Sequence, residues 1–416
     1  MSERAHGLLG VASRVTVDTR PLHYLDFRRL WLGQGVSFVG FQLTAVAVAV
    51  EVYAITRSSF WVGMLGVAGL LPLVVFGLWG GSVADAMDRR TLLLISSYVT
   101  WACTGMLLLQ AVLRLNNVGL LLGLVAVQSA AFAISSPTRG AIIPRLLPTE
   151  LVPAANTLNF TMTSLGAVLG PLLAGVVIVR FSFAAAYAID AALFTVALYS
   201  ALRLPKLAPL GEITRPGLRS VIDGLRFIWT RPVLLMSFAV DIVAMVFAMP
   251  RALFPEVADE RFGGEGAVGW LFASIAIGAV VGGLLSGWIG RVRRQGVALV
   301  VSIVGWGFAV AAAGLASSLA VAVALLALAG TADLVSAVFR QTILQVYAPD
   351  EMRGRLQGVF IVVVAGGPRL GDLRAGATAS WVGATASWVG GGLACVVIVV
   401  AVALGAKSLW RYRAAD

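Results

Sequence analysis

From Leu30 onward the chain is a succession of apolar runs, each about 20 residues or longer and each closed by a short stretch of charge, Gly or Pro. A soluble core has no room for so many segments of that length, but each suffices to cross a bilayer as a helix with its backbone hydrogen bonds satisfied internally. Composition agrees, at 59% hydrophobic and only 12% charged residues over 416 positions. The breaks place spans near 30–55, 60–84, 92–113, 118–143, 154–179, 183–203, 233–252, 267–290, 296–315, 319–344, 356–383 and 389–410. The expected fold is an all-α membrane protein of twelve transmembrane helices in two pseudo-symmetric six-helix bundles.

The segments follow as an N-terminal tail (1–29), a first bundle (30–204), a linker (205–232), a second bundle (233–410) and a short C-terminal tail (411–416). In the linker, Leu218, Val221, Ile222, Leu225 and Ile228 share one helical face, which predicts an amphipathic helix on the membrane surface or a plain tether. No signal peptide is expected, because the first apolar run is too long for one.

Basic residues alternate sharply between connectors. One side of the membrane, including both tails, collects 23 of the 31 Lys and Arg residues; the other holds Arg57, Arg114, Arg180, Arg251 and Arg261. Arg340, Arg369 and Arg374 lie at membrane depth or its edge. The positive-inside rule then puts both termini in the cytoplasm of a multi-pass protein of the cytoplasmic membrane.

The halves echo each other. At an offset of 201 (139 to 340), Ser135, Arg139, Pro148 and Glu150 meet Ser336, Arg340, Pro349 and Glu351, and Gly166, Gly170 and Gly175 meet Gly367, Gly371 and Gly376. At an offset of 206 (62 to 268), Val62, Gly63, Gly77 and Gly81 meet Val268, Gly269, Gly283 and Gly287. A separate direct duplication, ATASWVG at 377–383 and 384–390, spans the turn between the last two helices and carries no functional reading.

Several classes are excluded. The net charge of +11 comes without a dense Lys/Arg tract, so nucleic acid is not an expected partner. Cys103 and Cys395 stand alone in apolar runs, and His6 and His23 precede the first span, which leaves no metal site, catalytic residue or cofactor to expect. No phosphate-binding G-x-x-x-x-G-K-[ST] loop is present to drive an ATP engine.

Two motifs carry a resemblance. Gly81, Asp85, Arg89 and Arg90 close the second span and resemble the G-x-x-x-D-R-x-G-R-R signature of the major facilitator superfamily, with Ala86 and Asp88 replacing its first Arg and second Gly. The resemblance implies a cytoplasmic latch that breaks and reforms as the halves rock; simple anchoring by Arg89 and Arg90 is the alternative. Gly166, Gly170, Pro171 and Gly175 in the fifth span are similar to the G-x-x-x-G-P-x-x-G-G pattern of superfamily exporters, with Ala174 for one Gly. Small residues four apart also let helix backbones touch, whatever the direction of transport. With VYAITRSSFWVG at 52–63, AYAIDAALF at 186–194 and GGPRLGD at 366–372, the chain looks like the branch holding the enterobactin exporter and related efflux proteins. That resemblance implies a secondary transporter acting as a monomer in lipid: a proton-coupled exporter of a siderophore or similar amphiphile. A multidrug or macrolide pump, or an uptake symporter, stays open.

Charges inside the bilayer are expensive and therefore mark function. Asp241 and Asp333, well inside the seventh and tenth spans, are the expected sites of proton coupling or substrate contact. Glu51 and Asp190 lie nearer their spans' outer ends, within snorkelling reach of water. Asp372 is spaced for an i,i+3 ion pair with Arg369. Arg139 and Arg340, at equivalent places, are expected as gates, anion contacts or interfacial anchors. Trp270, Trp306, Phe247 and Phe339 are candidates to stack on an aromatic substrate.

Overall fold

The computed structural model describes residues 18–205, 218–347, 353–405, 410 and 412. Among these the chain is helical, without strands. The elements are α1 (Leu25–Thr56), α2 (Ser59–Ala86), α3 (Arg89–Val112), α4 (Val118–Leu146), α5 (Val152–Arg180), α6 (Phe183–Leu202), α7 (Leu218–Trp229), α8 (Pro232–Phe247), α9 (Phe254–Arg261), α10 (Gly266–Leu284), α11 (Gln295–Gly314), α12 (Leu319–Tyr347), α13 (Arg353–Val382) and α14 (Ala384–Gly405).

Helix starts follow the local chemistry. Asp88, Asn117 and Ser182 accept from the backbone N–H three residues on, at 2.9, 3.0 and 3.1 Å, and so cap α3, α4 and α6. Arg57, at φ 51°, and Gly383, at φ 83°, turn the chain after α1 and α13.

Eleven stretches are long and apolar enough to cross a membrane among the described residues, with α8 and α9 counted as one. The exception to the expected twelve is α13, a 30-residue helix that carries Arg369, Asp372 and Arg374 and is too polar by composition. Three boundaries differ from expectation. The first helix begins at Leu25, inside the segment read as a tail. The seventh span breaks after Phe247 and resumes at Phe254, because Pro250 cannot continue a helix while Pro255 is well suited to a first turn. The last helix begins at Ala384 rather than 389, so the second ATASWVG copy opens α14 just as the first closes α13.

Contacts fall into a simple pattern. Among the first six helices, α1 packs on α5 and α6, α2 on α4, and α3 on α4 and α6. From α8 onward, α10 and α11 pack on α12, α11 on α14, and α8 on α13 and α14. The main crossings between these sets are α2 with α13 and α5 with α10. Glycines set the closest approaches: a Cβ at Gly278 would overlap the Ala327 carbonyl oxygen, and one at Gly330 that of Ile275, so α10 and α12 touch backbone to backbone. Large apolar side chains such as Leu109, Val176, Leu328 and Val397 stay exposed on the outside, as lipid-facing residues must. The amphipathic α7 forms where predicted and packs on α13 and α8; it buries Ile228 and leaves Ile222, Leu225 and Trp229 exposed.

Candidate functional site

Asp241 on α8 and Asp333 on α12 meet around one guanidinium. Arg340 Nη1 pairs with Asp241 Oδ2, its Nη2 lies 3.8 Å from Asp333 Oδ1, and its Nε donates to the Ser336 carbonyl one turn back at 3.4 Å. Asp241 is 2% and Arg340 6% exposed. Arg340 is therefore no interfacial anchor: it is the shared partner of two acids, and a buried ion cluster of this kind persists because each charge is compensated. Two carboxylates and one guanidinium leave one excess negative charge, which is the condition under which one acid accepts a proton readily.

Glu51 and Asp190 correct the snorkelling expectation, because both are buried, at 5% and 2% exposed. Glu51 accepts from Gln110 Nε2 at 2.8 Å and from the Tyr187 hydroxyl at 2.5 Å. Asp190 accepts from the hydroxyls of Thr44 (2.7 Å) and Thr104 (3.2 Å), and Thr104 in turn accepts from Gln128 Nε2 at 3.2 Å. Neither carboxylate has a cationic partner within salt-bridge distance among the described residues, so hydroxyl and amide donors supply the compensation.

Asp372 also departs from its expected partner. Its carboxylate takes Arg251 Nη2 at 3.1 Å, not Arg369 four positions' reach away on its own helix. Arg369 instead lies across α2, its Nε beside Gly69 near the Ser129 hydroxyl. The Asp372–Arg251 pair belongs to a group of contacts gathered at the end of the molecule away from the chain termini. There Arg57 Nη1 meets Asp259 Oδ2 at 2.6 Å and Ser59 donates to Glu256, both joining the first six helices to α9. Backbone closes the same end: a Cβ at Gly376 would overlap the Ser59 carbonyl, one at Gly66 that of Arg369, and one at Gly63 would sit 2.6 Å from that of Asp372.

The exporter-type residues of α5 act in packing. A Cβ at Gly166 would lie 2.6 Å from a Phe38 ring carbon and one at Gly170 2.8 Å from the Val39 carbonyl, so both seat α1. Gly175 faces Gly269 of α10, and a Cβ at Gly269 would fall 2.5 Å from the Pro171 carbonyl. Pro171 sits inside an unbroken α5. Of the latch motif, Gly81 and Asp85 fall within 78–86, where the backbone alone is described. Arg90 donates to the Leu202 carbonyl at 2.7 Å and so ties α3 to α6 within the first six helices.

Arg139 lines a small pocket with Phe38, Phe41, Phe132 and Phe194, and its Nε is buried without an acceptor. These four phenylalanines were not singled out in the sequence, since a Phe in an apolar run carries no distinguishing signal. Of the aromatics that were, Trp306 and Phe339 are core residues and Trp270 lines an outer groove beside Arg180.

A bundle of apolar helices with buried, compensated charges and one closed end has the architecture of a membrane transporter, and solved structures agree. The fold matches a nucleoside transporter, NupG, with a TM-score of 0.74 at 13% identity over 93% of this chain and 100% of that one. It matches a bacterial homologue of the human lysosomal transporter Spinster, in an inward-facing occupied conformation, at 0.69 and 17% identity over 94% and 97%. The chain belongs to the transmembrane secretion effector family, which it matches over residues 17–415. Among curated relatives it is similar to "Enterobactin exporter EntS" of Shigella boydii serotype 18 and of Escherichia coli O139:H28, each 27% identical over 398 residues covering 93% of both chains. It is thus a multi-span membrane transporter of the major facilitator type and not an enzyme.

Proposed function

We propose that this chain is a proton-coupled exporter that moves a siderophore or similarly sized amphiphilic small molecule out of the cell by alternating access. It works as a monomer in the cytoplasmic membrane, with both termini inside and α13 completing a twelve-span, two-bundle layout. The observation that carries the reading is the buried cluster in which Arg340 bridges Asp241 and Asp333. Protonating either acid releases one attachment of Arg340 and changes how tightly α8 and α12 are held to each other. A transporter needs such an element, because ligand and proton can bias a conformational equilibrium only through differential affinity for its states. Closure at the end away from the termini supports a resting state sealed to the outside. The relatives named as enterobactin exporters support export and the class of cargo.

Reconstituted vesicles test the coupling. Asp241→Asn and Asp333→Asn should each abolish substrate movement driven by an imposed pH gradient while the protein remains monodisperse; normal coupled flux in both variants refutes the reading. Profiling of culture medium with and without the gene, under iron limitation, tests the cargo. Unchanged siderophore together with altered susceptibility to several unrelated drugs would reassign the chain as a multidrug pump.

A further inference from the structure

Arg139 and Arg340 are equivalent positions of the internal repeat, yet their surroundings have diverged. Seven residues before Arg340, two helical turns away on the same face of α12, stands Asp333; seven before Arg139, at the matching place on α4, stands Phe132. The other acid on Arg340, Asp241, corresponds on α1 to Gly40 at the 201 offset or to Gly35 at the 206 offset. The first half thus keeps the arginine and lacks both counter-ions. Among the described residues Arg139 makes no ion pair, and its Nε has no acceptor.

Rings stand where the acids are absent. Phe41 and Phe132 stack with centroids 6.3 Å apart and planes at 11°, and Phe38 continues the stack at 6.4 Å and 27° from Phe41. Phe194 and Gln128 complete the wall. Phe132 is 40% exposed, so the stack ends on an open ring rather than in sealed core.

We infer that this pocket is a binding subsite for an aromatic anion, in which Arg139 takes the acidic group and the phenylalanine stack takes the ring. The inference rests on the transport reading above and names the class of cargo. A desolvated guanidinium without a protein partner strongly favours an anionic ligand, and its planar fork suits a carboxylate or a pair of acidic oxygens. The phenylalanines add ring-on-ring contact that an aliphatic acid lacks. A neutral arene leaves Arg139 unpaired, so both features are required together. Gln128 extends the pocket wall through Thr104 to Asp190, so an occupant sits one hydrogen-bond chain away from a buried carboxylate.

Equilibrium binding of radiolabelled salicylate to the purified full-length protein in detergent tests the site. Saturable binding is expected, with benzyl alcohol and cyclohexanecarboxylate both weak competitors. Arg139→Gln should weaken binding by about tenfold or more, as loss of one partner of a desolvated charge pair does. Phe132→Asp, which restores the second half's internal counter-ion, should do the same, and Arg139→Lys should retain part of the affinity. If Arg139→Gln is not monodisperse, Phe132→Asp and Phe41→Leu give the same readout. Undiminished salicylate binding in Arg139→Gln or Phe132→Asp overturns the inference, as does equal competition by benzyl alcohol or by inorganic phosphate. Binding at fixed pH needs no gradient, so the two readings separate. Arg139-dependent binding without pH-driven flux keeps the site and refutes the coupling, and coupled flux with Arg139-independent binding does the reverse.

Discussion

Arginine side chains in this molecule repeatedly end on helix carbonyls. Arg90 reaches Leu202 at the end of α6, Arg261 reaches Gly314 at the end of α11, and Arg374 donates to Val246 at 3.2 Å and to Phe247 at the end of α8. The last turn of a helix carries unsatisfied carbonyls and the negative end of the dipole, and inside a bilayer no water serves them. Arg374 also holds the Ser387 carbonyl at 3.3 Å and thereby fixes the break in the seventh span against α14. Arg374→Ala is expected to destabilise the protein by about 2–3 kcal/mol, since several buried acceptors lose a charged donor at once; thermal unfolding in detergent measures it. Removing the cation of the Arg340 cluster should have a larger effect, about 3–5 kcal/mol for Arg340→Met, because two carboxylates are left uncompensated. Adding Asp241→Leu to that variant should restore part of the loss. Asp241, Asp333 and Arg340 were each legible as charges at membrane depth. Their convergence was not, because it depends on which faces of α8 and α12 meet, and one sequence does not encode that in any local pattern. The same holds for Glu51 with Tyr187 and Gln110, three polar residues brought together from α1, α6 and α3.

Helices themselves were the most legible level, since a run of apolar residues fixes a span by length alone. Legibility failed where polarity and propensity conflict with spanning. Arg369, Asp372 and Arg374 make α13 too polar to be recognised by composition, yet its small residues seat it directly on α2. The duplicated heptad is a second case. Trp381 and Trp388 occupy the same place in identical seven-residue copies, but Trp381 is 88% exposed while Trp388 is 2% exposed and donates to the Val310 carbonyl at 2.9 Å. Gly383 separates the copies onto different helices, so sequence identity gives no identity of environment. Trp388→Ala should therefore lower stability by about 3–5 kcal/mol, and Trp381→Ala by no more than about 0.5 kcal/mol, in the same unfolding assay. At the α10–α12 crossing, Gly330→Val should cost about 1–3 kcal/mol by overpacking against the Ile275 carbonyl.

Across the whole molecule, the polar contacts that join the two helix sets gather at the end away from the termini. The Arg57–Asp259 pair is exposed, at 68% and 43% for its two side chains, and such a pair contributes only about 0–1 kcal/mol. Reversing it with Arg57→Glu is expected to widen that end only modestly, as read by spin-label distances between α1 and α9. Gly376→Leu, placed against the Ser59 carbonyl, should widen it more. The oxygens of Ser59, Arg369 and Asp372 in that seam lie in helices whose own ladders supply their donors. Parting the seam strands no hydrogen bond and exposes no group that demands a new partner. Opening is then a sliding of smooth surfaces whose speed follows the viscosity of the surrounding lipid, and it is largely indifferent to the salt on either side.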